Sequence, residues 1–276
     1  MKSYLQTKDF SISKESFELL YDANLDMLVT SPVPDTLEKY YESDVYISHT
    51  DSKKTLIDKL YQFVKNYSLK KKLQLINSFV ENKKTLLDFG AGTGDFLVKA
   101  KYNDWNISGV EPNALARENA NEKGVKLCKD LKEVSNSTYQ VITLWHVLEH
   151  VSDLENQISS IVSLLDKNGT LIIAVPNFKS YDAKHYKNFW AAYDVPRHLW
   201  HFSKTSIEKI FAKHQMELIA VKPMKFDSYY VSLLSEKYKT GKNNFFKAFF
   251  IGLKSNYRAF SSKEYSSHIY ILKKAK

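Results

Sequence analysis

Residues 85–96 read TLLDFGAGTGDF, and no other stretch of the chain restricts its fold as much. TLLDF is a short buried strand that runs directly into Gly90, Gly92 and Gly94, and the helix-forming GDFLVKAKY follows without a linker. A strand, a glycine turn and a helix in immediate succession open a βαβ unit. The sequence beyond keeps the alternation: NISGVE is a strand, NALARENANEKG a helix stopped at Gly124, and VKLC and YQVITLW are strands. DLENQISSIVSLLDKNG is an amphipathic helix ended by Asn168 and Gly169, and TLIIAVP is a strand ended by Pro176. KTSIEKIFAKHQ (helix), MELIAVKPM and SSHIYILKK (strands) complete the series. This order predicts a doubly wound α/β fold, a Rossmann-like sheet covered by helices on both faces. Residues 81–276 form that domain, and residues 1–80 are an extension, irregular through the turn-prone SPVPD at 31–35 and helical from Asp51 to Val80.

Glycines in the turn let a ligand approach the backbone, and the helix N-terminus behind them favours an anionic group. A dinucleotide fingerprint would place its third glycine at position 95, where this chain has Asp95, which disfavours a nicotinamide or flavin dinucleotide. The second strand ends in GVEPN, and a carboxylate at Glu111 suits the two hydroxyls of a ribose.

With these residues the chain resembles the class I S-adenosylmethionine-dependent methyltransferases, in particular the branch like the ubiquinone O-methyltransferases and related bacterial enzymes. The resemblance covers about residues 80–215 through LLDFGAGTGDF, GVEPN, YQVITLWHVLEHV and LIIAVPN in that order. It implies a seven-stranded, mostly parallel sheet with an antiparallel last strand. S-adenosylmethionine would lie across the carboxyl ends of the first, second and fourth strands. Asp88, Gly90, Ala91, Gly92 and Gly94 would hold its methionine part, Glu111 its ribose, and Asp130 and Leu131 would flank the adenine. The implied activity is methyl transfer to a small-molecule or lipid-linked acceptor, with oxygen as the expected target. A donor-binding protein without catalysis and a nicotinamide-dependent oxidoreductase are the alternatives. The small zinc ribbon that often precedes such domains is missing, since Asp22 and Leu25 stand where its cysteines would fall.

HVLEH at 146–150 has the H-x-x-E-H spacing of one class of zinc peptidase. That chemistry needs a helix carrying both histidines on one face, whereas this stretch directly follows the strand YQVITLW. Metal is therefore not expected. His146 stands at the carboxyl end of a parallel strand, where such sheets bind ligands, and it is expected to face donor or acceptor, with Glu149 and His150 lining the acceptor side.

FWAAYDVPRHLWHFS at 189–203 is unusually aromatic for a loop. Aromatic walls with a few polar groups describe a pocket, so Trp190, Tyr193, Asp194, Arg197 and His198 are expected at the acceptor site; relatives share a D-x-P-R-H-L run here. For a hydroxyl acceptor, His146 or His198 is the natural general base. Tyr40, Tyr41, Tyr46 and His49 are candidates for a lid over the pocket.

Residues 1–221 carry 28 basic and 28 acidic side chains and residues 222–276 carry 12 and 3, so the whole net charge of +9 sits in the last segment. Much of it belongs to an insertion at about 226–264, in which Phe246, Phe249, Phe250, Leu253 and Tyr257 recur at helical spacing. The expectation is a helix packing this stripe on the core with its lysines in water. Peripheral contact with an anionic membrane is the alternative, and nucleic acid is not expected because no RNA-binding motif accompanies the aromatics. The start of the chain has no apolar leader and no long apolar run occurs, which gives a cytoplasmic expectation. Cys128, the sole cysteine, is expected as a buried strand thiol.

Overall fold

The structure, a computed structural model, describes residues 1–41, 56–80, 83–134 and 138–275. Its centre is a six-stranded sheet built from β4 (Thr85–Phe89), β5 (Asn106–Val110), β6 (Tyr139–Trp145), β7 (Leu165–Pro176), β9 (Met216–Pro223) and β10 (Ser267–Lys274), in the order β5-β4-β6-β7-β10-β9. The first four run parallel, and β10 is antiparallel to both neighbours. The seventh expected strand, VKLC, contributes only the isolated bridge Val110↔Cys128, and the Cys128 thiol is part-exposed rather than buried.

Strands buried on both faces read as continuous apolar runs, and β6 and β7 show why. Ile142, Leu171 and Ile173 pack on α4 (Leu154–Ser163) and α6 (Lys204–Ala212). From the other face Val141, Trp145 and Ile172 meet α1 (Leu56–Asn77), α2 (Asp95–Lys101) and α3 (Ala114–Glu122). Local chemistry starts the helices: Asn113 caps α3, Asp153 caps α4, and Ser203 with Ser206 forms a reciprocal capping box on α6. Helix α4 stops at Ser163 and β7 begins at Leu165, so Asn168 and Gly169 lie inside the strand rather than ending the helix.

The N-terminal extension corrects the sequence reading. Instead of irregular chain, β1 (Lys2–Lys8), β2 (Ser16–Asp22) and β3 (Met27–Ser31) form antiparallel hairpins. The sheet is completed from the aromatic loop by β8 (Trp200–His201). Asp22 closes the β2–β3 turn by accepting the N–H groups of Asn24 and Leu25 at 2.8 and 3.1 Å. A carboxylate thus makes the turn where relatives would place a cysteine.

The insertion consists of α7 (Asp227–Thr240) and α8 (Phe245–Ser262), following the short α5 (Tyr181–Tyr186) in chain order. Helix α8 presents its small residues inward, with Ala248, Gly252, Ser255 and Ala259 buried, while its aromatic stripe faces out. The expected packing of that stripe on the core is therefore reversed. The cause is close approach: a Cβ on Gly252 would come within 2.7–3.0 Å of Tyr229 on α7, so only small residues fit between the helices.

Candidate active site

The glycine turn divides its labour. Gly90, Gly92 and Gly94 all have positive φ, at 74°, 54° and 74°. A Cβ on Gly90 would lie 2.3 Å from Val147 Cγ2, and one on Gly94 would lie 2.9 Å from Ala120 Cβ, whereas Gly92 faces open space with nothing within 4 Å. Two glycines thus permit tight packing and the middle one leaves room beside the chain. Asp95, which opens α2, is paired with Lys65 and Lys123, both at 2.8 Å. Burial raises its carboxyl, but the hydrogen bonds from the two lysines outweigh it and keep the group ionised.

At the tip of β5, Glu111 accepts the Gly92 N–H through Oε2 and the Asn113 N–H through Oε1, both at 2.9 Å. Each oxygen keeps a second lone pair for an incoming hydroxyl. Asp130 caps a short turn by accepting the Lys132 N–H at 2.7 Å, and Leu131 packs on the sheet core. Asp88 is buried and accepts from Thr143 Oγ1 at 2.5 Å. Burial pushes its carboxyl up to about 7 against the pull of Thr143 and Lys72. Lys72 reaches in from α1 with its ammonium 4.3 Å from the centre of the Trp145 ring, and burial lowers it to about 8 against the attraction of Asp88 and Asp227.

HVLEH forms no α-helix. His146 sits in the left-handed region, φ 59°, an unusual conformation for a non-glycine residue, and Leu148–His150 make a single 3-10 turn. His146 lies between two carboxylates, with Nε2 3.2 Å from Asp227 Oδ2 and Nδ1 3.4 Å from Glu149 Oε1. Burial disfavours the charge, but Asp227 and Glu149 win and raise its pKa to about 10. In this arrangement His146 is an imidazolium and has no lone pair with which to act as a base.

Glu149 is 1% exposed, and among the described residues its only charged contact within 4 Å is the 3.4 Å approach of His146 Nδ1 to Oε1, too loose for a well-formed hydrogen bond. Around it stand His146, His150 and His198. The His198 Nδ1–H donates to Ala192 O at 2.9 Å; the His150 Nδ1–H donates to Arg197 O at 3.0 Å, with Tyr41 Oη 3.1 Å from the same nitrogen. In the neutral form of either ring Nε2 is the lone-pair atom, and the rings meet edge to face, 4.5 Å between centres. Burial and the neighbouring His198 lower His150 to about 4, so it is neutral. Ligand atoms of Glu149, His150 and His198 lie within 4.8 Å of one another, a spacing that a single cation could bridge. The sequence expectation places all three residues at the acceptor side, without a metal.

The structure reassigns part of the aromatic loop. Trp190 and Tyr193 are each 2% exposed, stacked edge to face at 4.9 Å, and Trp190 Nε1 donates to Asp182 at 2.7 Å. Both fill core between the N-terminal sheet and the insertion helices rather than lining a pocket. Arg197 is equally buried. It forms a two-pronged bridge to Asp194 at 2.9 and 2.6 Å, reaches Asp9 at 3.1 Å and Ser11 at 2.6 Å, and donates to Tyr40 O at 3.1 Å. All three of its nitrogens are engaged in fastening the extension to the loop that carries His198, which makes it a positioning residue. Of the expected lid residues, Tyr40 is buried with its hydroxyl on Glu15, Tyr41 reaches His150, and Tyr46 and His49 lie outside the described residues.

Four side chains of this site escaped the sequence reading: Lys65, Lys72, Thr143 and Asp227. Thr143 lies three residues before His146 on β6, a local signal that could have been used. The lysines sit in a helix without chemical pattern, and Asp227 belongs to the insertion, 81 positions from His146, so nothing local marks them.

A family model described as a methyltransferase domain matches residues 61–221. A comparison with curated protein sequences finds no match. Among solved structures, magnesium protoporphyrin IX methyltransferase from Synechocystis PCC 6803 with bound S-adenosylhomocysteine is similar, with a TM-score of 0.55 and 14% identity over 82% of this chain and 91% of that one. A possible histamine N-methyltransferase from Thermotoga maritima gives a TM-score of 0.52 at 19% identity, covering 78% and 97%. Mycolic acid cyclopropane synthase complexed with S-adenosylhomocysteine gives 0.53 at 12%, covering 74% and 83%. At these identities the structures speak for the fold, while the family match spans more than half of the chain. The chain belongs to the methyltransferase-domain family and is an S-adenosylmethionine-dependent methyltransferase.

Proposed function

We propose that this enzyme methylates a hydroxyl oxygen of a small-molecule or lipid-linked acceptor, within the branch that resembles the ubiquinone O-methyltransferases. The observation that carries the reading is the buried Glu149 carboxylate, ringed by three imidazoles at the carboxyl end of β6 and met by only a loose contact from His146. It stands beside the glycine turn, since Val147 touches Gly90.

The residues present fit the donor. Open space at Gly92 admits it, the spare lone pairs of Glu111 suit a ribose diol, and the carboxylates of Asp88 and Glu149 suit a cation. In this reading Asp88, Gly90, Ala91, Gly92, Gly94, Glu111, Asp130, Leu131 and His146 hold S-adenosylmethionine, which supplies a methyl group already activated on a sulfonium. What the protein adds is alignment of the two reactants and removal of one proton. His198, its Nδ1–H fixed on Ala192 O, offers the Nε2 lone pair that takes the hydroxyl proton. Glu149, His150 and Asp194 bind the acceptor around it, and the His146 imidazolium balances the Glu149 charge. Arg197, Trp190 and Tyr193 keep the loop in place.

Calorimetric titration with S-adenosylmethionine and, separately, NADH tests the donor site. Micromolar binding of the first alone, weakened at least tenfold by Glu111→Ala, is expected, and well-folded protein that binds neither refutes the reading. His198→Ala should abolish methyl transfer to hydroxyl acceptors while leaving donor affinity unchanged; loss of donor binding in that variant would place His198 on the wrong side of the site.

A further inference from the structure

Helix α8 carries its hydrophobic face outward. Phe246, Phe249, Phe250, Leu253, Tyr257 and Phe260 fall on one stripe of the helix and are 46–82% exposed. Directly opposite lie the small residues that seat the helix on α7, so the stripe cannot turn inward without losing the packing at Gly252. Soluble surfaces expose single apolar side chains routinely, but a row of aromatic residues along one helix marks a contact site.

Charge selects the partner. From Lys237 to Lys263 the chain has seven basic residues and no acidic one. Lys247, Lys254 and Arg258 share one flank of the stripe. Lys254 and Arg258 lie over the Tyr181 ring at 5.3 and 6.0 Å, and Lys247 lies 3.2 Å from the buried Glu236. A second copy docking on this face by a two-fold would press like charges together. An anionic bilayer would instead take the aromatic rings into its headgroup region and pair its phosphates with the flanking cations. No helix among the described residues is long and apolar enough to cross a membrane, so the contact would be interfacial.

We propose that α8 docks this methyltransferase on anionic phospholipid surfaces, with the aromatic stripe inserted and the Lys247, Lys254 and Arg258 flank on the headgroups. The inference goes beyond the methyl-transfer reading and does not need it. The two are connected in space, because the helical hairpin that carries α8 begins at Asp227, the residue that holds His146.

Vesicle co-sedimentation of the full chain tests the proposal, using equimolar phosphatidylglycerol and phosphatidylcholine against phosphatidylcholine alone. Binding to the anionic vesicles, at least tenfold weaker on the neutral ones and weakened by 0.5 M salt, is expected. The triple variant Phe246→Ser, Phe250→Ser, Phe260→Ser, altered only at exposed positions, should lose at least tenfold in anionic-vesicle binding. Its S-adenosylmethionine affinity and thermal midpoint should stay unchanged, which separates failure of docking from failure of the fold or the donor site. Lys254→Gln with Arg258→Gln should weaken binding and reduce its salt dependence. No association of the unaltered chain with anionic vesicles, or an undiminished association of the triple variant, overturns the proposal. So does a dimer in analytical ultracentrifugation that the triple variant dissolves, since the stripe would then be an interface between copies.

Discussion

Substituting alanine at Gly90 and at Gly92 should separate two roles that the sequence presents as one motif. Both residues have positive φ, and an L-residue held there costs roughly 1–2 kcal/mol. At Gly92 that is the whole structural cost, because nothing lies within 4 Å of the new methyl group. At Gly90 the methyl would sit 2.3 Å from Val147 Cγ2 and 2.9 Å from Cγ1, so the turn or Val147 must shift, adding roughly 1–3 kcal/mol of overpacking. Gly90→Ala should therefore destabilise by about 2–5 kcal/mol, a thermal midpoint lower by about 10 °C, and Gly92→Ala by about 4 °C. Ligand affinity should follow the opposite order among folded molecules, since in the proposed site the methyl of Gly92→Ala projects into the space left open for the donor. A tenfold or greater loss of S-adenosylmethionine affinity at near-native stability is expected there. Denaturant unfolding and calorimetry read both quantities. Val147→Ala placed in the Gly90→Ala background should return the overpacking part, a coupling that a double-mutant cycle isolates. Equal stability losses at the two glycines, or no coupling to Val147, would refute the division of labour.

Other outcomes follow from the buried charges. Replacing Arg197 with Met should cost about 3–5 kcal/mol, because Asp9 and Asp194 are left buried without their counter-charge, and urea unfolding reads the loss. The Asp9 carboxyl is pushed up by burial, but hydrogen bonds from Arg197, Ser11 and Ser13 prevail and hold it well below its ordinary 3.8. A depressed acid stabilises the fold above its unfolded pKa and loses that contribution as pH falls toward the folded value. The stability gap between the unaltered chain and Asp9→Asn should therefore be full near pH 7 and shrink below about pH 4. With Asp88 near 7, its ionised fraction rises from about a tenth at pH 6 to about nine-tenths at pH 8. Affinity for the cationic donor should rise up to about tenfold over that range and stay flat in Asp88→Asn; a pH-independent affinity in the unaltered chain would dissociate Asp88 from the donor. Nitrogen-15 shifts of His146 should report a doubly protonated ring at pH 8, and Asp227→Asn should lower its pKa, whereas a neutral ring at pH 8 would show the clamp to be open.

Much of the α/β core can be read directly from the sequence because the signals are local and repeated. Apolar runs at β4, β6 and β7, the glycine turn between β4 and α2, and the caps at Asn113, Asp153 and Ser203 each act within a few residues. Glu111 was legible for the same reason, since the unit fixes how far along the chain the second strand ends. The hairpins β1 to β3 were missed because β1 is exposed along most of its length, so it makes no apolar run, and their sheet is completed by β8, far away in sequence.

The site itself is a product of tertiary structure. Arg197 meets Asp9 across 188 positions, Asp227 meets His146 across 81, and His198 faces Glu149 only because the Leu199 N–H donates to Glu149 O at 2.8 Å and ties the loop to the turn. The same holds for α8. Its periodicity determined that there would be an apolar stripe, but a periodicity has no inside or outside. The close approach of Tyr229 to Gly252 decided it, admitting small residues to the contact and leaving the aromatic ones facing out. Sequence by itself determined most elements of the α/β core and their order, because backbone geometry and burial patterns act locally; packing alone decided which side chains meet, because that depends on surfaces the chain brings together only once it is folded.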